Sequence, residues 1–446
     1  MPAGPSLGAK RRRHRRSPRN APNSGREDHA VRSAAAHALI VSAQIGLEVT
    51  RRAARRALTA VQVHKSAIIV DTHADTPQRF VDEHFDLSDP LNGGDLNLAS
   101  VLKGNLGAEF FSIWVEPSLF KGQYARRTLE LIDSVHRQVA AHPDRMVSAA
   151  SVGDIERAYR AGKFAALMGI EGGHSIENSL ALLRQYYALG VRYMTLTWSN
   201  SNGWADSSGD IDDATVPHTK DGLTKFGREV VREMNRLGMM VDISHVSDRT
   251  FYRALKVSTA PVIASHSGAR ALCDHPRNMT DEMLRAVASS GGPDSGGGVV
   301  QVNFFSGFVS QAFRNALNAI SPTADKAVER AQRKAKARGR ELTYGEIAEI
   351  RGRFVRKFPR PPLSALIDHI DHIAKVAGVD HVGLGSDFDG VGGQLPEGLN
   401  SPADLPKITQ ALLDRAYSAT DCRKILGGNL LRVFREVETV SASLNR

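Results

Sequence analysis

The chain has 446 residues, 41% hydrophobic and 24% charged, the composition of a soluble globular protein large enough for one barrel with insertions or for two domains. Its formal charge of +10 lies in the first 60 residues, where 13 Lys and Arg stand against 3 Asp and Glu; the remaining 45 and 45 cancel, so the body has no basic excess aimed at nucleic acid. The two cysteines, Cys273 and Cys422, imply no disulfide framework and form no metal-type pair.

Residues 1–30, with the run Arg11-Arg12-Arg13-His14-Arg15-Arg16, are rich in Pro, Gly and Arg and are expected to be disordered. The apolar patch Ala34 to Val49 is interrupted by His37, Gln44 and Glu48, which makes it too short and too polar for a transmembrane helix. It also lacks the unbroken core and small-residue cleavage site of a secretory signal, so the compartment stays open between cytoplasmic and exported. No aromatic residues interleave the arginines to stack on bases, and the expectation for 1–60 is a basic extension ahead of one catalytic domain, 61–446.

From residue 61 short apolar runs alternate with amphipathic stretches. Strands are expected at 67–73, 107–115, 164–170, 191–197, 239–244, 261–265, 298–304 and 381–386, and helices at Tyr124–Ala141, Ser179–Ala188, Thr224–Leu237 and Asp281–Ala288. Eight strand–helix units predict an α/β fold, a closed (β/α)8 TIM barrel; a doubly wound open sheet is the rival. Two segments break the pattern. Residues 290–298, Ser-Gly-Gly-Pro-Asp-Ser-Gly-Gly-Gly, lack the following Gly-Lys-Ser/Thr of a phosphate loop and are expected to turn. Residues 311–362, with 13 Lys and Arg against 5 Asp and Glu, form a charged helical insertion whose 333–338 run is expected to be a solvated face, ended by Pro359, Pro361 and Pro362.

The strand ends carry the chemistry. The first strand, Ile68-Ile69-Val70-Asp71-Thr72-His73-Ala74-Asp75, puts His73 and Asp75 two apart, on one face by alternation. The third ends in Ile170-Glu171-Gly172-Gly173-His174, the fifth in Asp242-Ile243-Ser244-His245, the sixth in Ala264-Ser265-His266, and the eighth in Ser386-Asp387-Phe388-Asp389. In a barrel these termini meet at one mouth, and five strands ending in ligand-type residues point to metal. His73, Asp75, Glu171, His245 and His266 are too many for one catalytic ion that keeps a position for water. Two ions about 3.5–4 Å apart, bridged by a carboxylate and a hydroxide, use them all. Glu171 is the natural bridge, and Asp387 is left over for proton transfer. His174 points away from the mouth if Glu171 faces it.

These motifs, together with Pro276-Arg277-Asn278-Met279 and Gly428-Asn429-Leu430-Leu431-Arg432-Val433-Phe434, resemble the renal (membrane) dipeptidase family, in order, from about residue 65 to the end. The resemblance implies a binuclear zinc barrel of the amidohydrolase type that cleaves dipeptides. His73 and Asp75 would hold one zinc and His245 and His266 the other, with Glu171 as bridge, Asp387 as proton shuttle and Arg277 gripping the substrate carboxylate with its planar fork. One position departs: where the family's fourth strand carries Leu-Thr-His, this chain reads Leu196-Thr197-Trp198. An indole donates a hydrogen bond but carries no charge, so carbonyl polarisation falls to Asn200 or Asn202, or the substrate differs, or activity is reduced. The 291–296 and 311–362 segments also depart from the family and are expected to alter the rim of the pocket.

The leading expectation is a zinc-dependent dipeptidase with two zinc ions per chain, tolerant of a C-terminal D-residue. It takes dipeptides, no nucleic acid, has no transmembrane span, and allows a homodimer. The alternatives are another metal-dependent amidohydrolase, such as an N-acyl amino acid deacylase, and a metal-binding barrel with weak catalysis, for which Trp198 is the sole support.

Overall fold

The architecture is known from a computed structural model that describes residues 58–446 except residue 343; the basic extension expected over 1–60 lies, up to residue 57, outside the described residues. Among the described residues nine strands run in chain order: β1 Ile69–Ala74, β2 Leu106–Trp114, β3 Met146–Ser148, β4 Phe164–Glu171, β5 Val191–Thr195, β6 Met240–Asp242, β7 Ile263–Ser267, β8 Val299–Val302 and β9 Val382–Leu384. Every pairing is parallel in the order β2-β1-β9-β8-β7-β6-β5-β4, and a ladder from Ala108↔Ala165 to Trp114↔Glu171 joins β2 to β4. That ladder closes an eight-stranded ring, so the (β/α)8 barrel is borne out and the open sheet is not.

The eight expected strands are all present, and β3 is additional. It pairs with β4 from Met146↔Phe164 to Ser148↔Ala166, just before β5 takes over at Met168↔Val191. Three residues are too few to show a period, which is why the sequence does not reveal it. The four expected helices also form. Ser179 and Thr224 prove to be N-caps, their hydroxyls accepting from the Leu182 and Gly227 amides, so those helices begin at Leu180 and Lys225.

Alternation along the strands divides the core and sets the polarity of the barrel. Inward-facing Val70, Ala108, Phe110, Ala165 and Leu167 pack on Leu430, Val433 and Phe434 of the C-terminal helix Asn429–Leu444, which plugs one end. Outward-facing Phe111, Ile113, Met168 and Ile170 pack on Leu131, Ile132 and Val135 of the Tyr124–Ala141 helix. With an apolar plug below, the polar side chains collect at the strands' C-terminal ends.

The insertion is two helices, Gln311–Lys336 and Tyr344–Val355, tied by an Arg351–Asp325 ion pair of 2.9 Å. Arg333, Lys334, Lys336 and Arg338 are exposed, as expected, and Pro362 occupies the N-cap of the next helix, Leu363–Ala377. The glycine-rich segment behaves differently from expectation. It turns into the start of β8 at the plugged end, where Ser295 Oγ and the Gly296 amide donate to Glu436 of the C-terminal helix at 2.9 and 3.0 Å. It therefore leaves the pocket rim untouched. No helix among the described residues is long and apolar enough to cross a membrane.

Candidate active site

β1 ends at Ala74, and its register becomes irregular beyond Asp71. His73 leaves from that irregular end, whereas Asp75 is no longer strand. It takes the N-cap position of the Thr76–Asp82 helix, so strand alternation is not what brings it in. The two still converge, with His73 Nε2 and Asp75 Oδ2 3.9 Å apart.

Glu171, the last residue of β4, is buried at the centre of the mouth. Its Oε1 lies 2.8 Å from His245 Nε2 and 3.5 Å from His266 Nε2, while Oε2 lies 3.4 Å from His73 Nε2. One carboxylate thus presents one oxygen to His245 and His266 and the other to His73. His245 Nε2 and His266 Nε2 are 2.9 Å apart, and the His73 and His266 rings stack at 3.8 Å.

The partners behind two of these imidazoles fix which nitrogen faces the centre. Tyr193 donates its hydroxyl to the Thr72 carbonyl at 3.0 Å, so it accepts from His73 Nδ1 at 2.9 Å and leaves Nε2 facing inward, the nitrogen that gives up its proton when a metal takes its place. The Tyr193 ring reaches that far because residue 169 is glycine; a Cβ there would lie 1.9 Å from the ring. Ser265 donates to Asp242 Oδ2 at 2.6 Å and so accepts from His266 Nδ1 at 2.7 Å, turning that Nε2 inward as well. Such outer partners orient metal-binding imidazoles in general.

The arrangement fits a divalent metal. His73 Nε2 and Asp75 Oδ1 are buried without a hydrogen-bond partner. Donor atoms of His73, Glu171 and His266, and of His73, Asp75 and Asp387, gather within 4.8 Å in two groups that share His73. Imidazole nitrogens and carboxylate oxygens in such a cluster are a donor set that divalent transition metals, zinc among them, accept. Electrostatics agrees. Burial lowers the His73 pKa, but the Glu171, Asp75 and Asp387 carboxylates outweigh it and hold the group up at about 10, so a cation is favoured where this proton sits. Burial, with Arg277 nearby, pushes His245 down to about 3, a neutral ligand at any working pH. Burial opposes ionisation of Glu171, yet the charge of His73, with the His245 and His266 imidazoles close by, holds it well below the usual carboxylate range.

Asp387 follows β9 with φ 65°, and His245 and Asp389 are also left-handed at 65° and 63°. Strained backbone at three non-glycine positions of one mouth is what functional sites accumulate. The Asp387 amide donates to the His73 carbonyl at 2.9 Å. Asn303, fixed by accepting from the Phe305 amide, donates to Asp387 Oδ2 at 2.8 Å. Burial raises the Asp387 pKa and Glu171 adds to it, against the pull of His73. Residue 390 is glycine because a Cβ there would meet Asp75 Oδ2 at 2.1 Å and Asp387 Oδ1 at 2.2 Å.

Above the cluster opens a cleft of about 310 Å³, with Asp75, Glu171, His245, His266 and Asp387 on its floor. Trp114 and Trp198 form one wall, their rings 4.8 Å apart at 52°, and Phe305 and Phe308 line it as well. Arg277 is buried, donates Nη1 and Nη2 to the His266 carbonyl at 3.2 Å each, and lies 5.2 Å from the Phe308 ring. Burial lowers its pKa to about 10, which leaves it cationic at neutral pH.

All eight residues singled out from the sequence, His73, Asp75, Glu171, Trp198, His245, His266, Arg277 and Asp387, thus meet at one mouth. His174 does not; its Nε2 is 2.8 Å from the Val115 carbonyl, away from the cluster. Asn200 and Asn202 are not among the cleft's lining residues, and Asn202 holds the loop by donating to Leu196 O and accepting from the Trp204 amide, so neither stands in for the missing imidazole. Sequence reasoning missed Asn303, Tyr193 and the insertion's Ile347 and Arg351, which also line the cleft or support it. Asn303 carries a signal, a polar residue directly after the apolar strand β8, whereas nothing in its local spacing marks Tyr193.

Comparison with known proteins agrees with the fold. The family model for membrane dipeptidase (peptidase family M19) matches residues 58–446. Human dipeptidase 3 is 35% identical over 382 residues, which cover 84% of this chain and 66% of the human protein. The probable dipeptidase PvdM from Pseudomonas aeruginosa shares the fold with a TM-score of 0.72 and 26% identity, over 85% of this chain and 98% of that one. A metallo peptidase from Rhodobacter sphaeroides, solved with a phosphinate mimic of the dipeptide L-Ala-D-Ala, superposes with a TM-score of 0.64 at 22% identity, over 83% and 100% of the two chains. The order of the mouth residues along the chain and the match over its whole described length give one conclusion: the chain belongs to the membrane dipeptidase family, peptidase family M19.

Proposed function

We propose that the chain is a zinc-dependent dipeptidase that holds two zinc ions and accepts dipeptides with a C-terminal D-residue. The observation that carries this reading is Glu171, which offers one oxygen to His245 and His266 and the other to His73 beneath a cleft that also contains Asp387 and Arg277. His73 and Asp75 would hold one ion, His245 and His266 the other, with Glu171 shared. When bound, such a pair supplies Lewis acidity and a nucleophile drawn from water at neutral pH. Arg277 binds the free carboxylate of the substrate. Asp387 accepts the proton of the attacking water on its carboxylate and returns it to the leaving amine, a transfer its burial assists by raising its pKa. Asn303 holds that carboxylate in place from Oδ2, leaving Oδ1 for the proton.

The test is a panel of L-L and L-D dipeptides, their C-terminal amides and N-acyl amino acids, assayed on the zinc-reconstituted full chain. Free dipeptides are expected to be the best substrates. Arg277→Ala is expected to raise KM for them by about 10²-fold, the scale of stripping one partner from a buried charge pair, and to matter much less for the amides. Faster hydrolysis of N-acyl amino acids would replace the reading with a deacylase. The same panel applied to Trp198→His tests the altered wall. An imidazole can carry charge where an indole cannot, so kcat on dipeptides is expected to rise, by up to about 10²-fold. A fall would show that substrates use the Trp114–Trp198 surface instead.

A further inference from the structure

The charged insertion reaches the cleft. Ile347 and Arg351, four apart on the Tyr344–Val355 helix and so on one face of it, line the same cavity as Glu171, Asp387 and Arg277. Arg351 is held rather than loose. Its Nη2 donates to Asp325 Oδ1 at 2.9 Å across the helical pair, which occupies one of the five N–H groups of its fork. Its side chain is 55% exposed, so it sits at the rim, open to a ligand entering from solvent. The neighbouring cations, Arg353 on that helix and Arg356 just beyond its end, pair with Glu349 and do not line the cleft.

Two guanidinium groups therefore face one cleft whose three carboxylates, Asp75, Glu171 and Asp387, cluster on its floor. If the dipeptidase reading holds, a dipeptide with neutral side chains brings a single carboxylate, and Arg277 takes it. Arg351, with only one of its five N–H groups taken by Asp325, gains a partner within the cleft when the substrate brings a second anion. We propose that Arg351 is a specificity-determining residue that selects dipeptides carrying an acidic side chain, aspartyl or glutamyl, by pairing with that carboxylate at the rim. The proposal rests on the dipeptidase reading and adds the substrate class to it. The insertion supplies selectivity while the barrel supplies the chemistry, and Ile347 adds an apolar lining residue from the same helix face.

The experiment compares Ala-Asp with Ala-Asn and Asp-Ala with Asn-Ala, pairs that differ in charge and hardly in shape. For the zinc-loaded full chain, kcat/KM is expected to favour the acidic member of at least one pair by about tenfold, the lower end of what a charged hydrogen bond contributes because the site is half exposed. Arg351→Gln should abolish that preference by raising KM for the acidic members about tenfold more than for the neutral ones. Arg351→Glu should invert it toward Ala-Lys or Lys-Ala. An equal effect of Arg351→Gln on acidic and neutral members, or none, overturns the proposal and leaves the dipeptidase reading standing. Calorimetric titration of the zinc-loaded Asp387→Asn protein gives the same comparison without turnover. The acidic member should bind about tenfold tighter, and a further Arg351→Gln change should erase the difference. Equal binding of both members overturns the role of Arg351, whereas failure to hydrolyse any dipeptide would overturn only the proposed activity.

Discussion

Asp387→Asn is expected to lower kcat for dipeptides by about 10²–10⁴, the usual contribution of a positioned acid–base group, while leaving zinc content at about two per chain. The amide keeps the shape of the carboxylate and can still meet Asn303, which donates to Oδ2 at 2.8 Å, but it has no basic oxygen to take a proton. The measurement must include metal analysis, because the geometry allows a second role. Asp387 stands with His73 and Asp75 in one group of donor atoms within 4.8 Å, so its carboxylate is close enough to contribute to an ion. Lost activity with unchanged zinc assigns Asp387 to proton transfer. Lost activity with about one zinc per chain would make it a ligand, and full activity would remove it from the mechanism altogether.

Glu171→Ala is expected to have the largest effect on metal, taking zinc content well below the two ions the proposed site holds, because both sites share this carboxylate. Its oxygens lie 2.8 Å from His245 Nε2 and 3.4 Å from His73 Nε2, so a single truncation empties the space between two groups of imidazoles. His245→Ala supplies the contrast. It is expected to lower zinc by about one ion per chain, since His245 faces only one side of the carboxylate. Elemental analysis checks both. One ion in the unaltered protein, with no change in His245→Ala, would contradict the shared carboxylate. A structural cost accompanies Glu171→Ala, because His73, whose pKa is held at about 10 chiefly by Glu171, then loses the partner that offsets its burial. Circular dichroism of the metal-free variant separates that cost from loss of affinity.

The sequence by itself determined the barrel and nearly all of its mouth. Eight apolar runs separated by helical stretches leave few alternatives to a closed parallel sheet, and ligand-type residues at their ends must meet once the ring closes. That is why His73, Glu171, His245, His266 and Asp387 could be named without coordinates. The tertiary structure alone decided the rest, for two physical reasons. The first is that support for the site comes from inward-facing side chains on other strands: Tyr193 reaches His73 from β5, and Asp242 reaches His266 through Ser265, contacts fixed by barrel geometry and unmarked by any local spacing. The second is that an insertion's path depends on packing, not on period. Residues 291–296 and 311–362 both broke the pattern and were equally expected at the rim, yet the glycine-rich turn packs against Glu436 at the plugged end while Ile347 and Arg351 line the cleft. A charged helix on the page of a sequence has a solvated face and a packed one; which side chains turn to the cleft is settled only when Asp325 and the strand ends are in place around it.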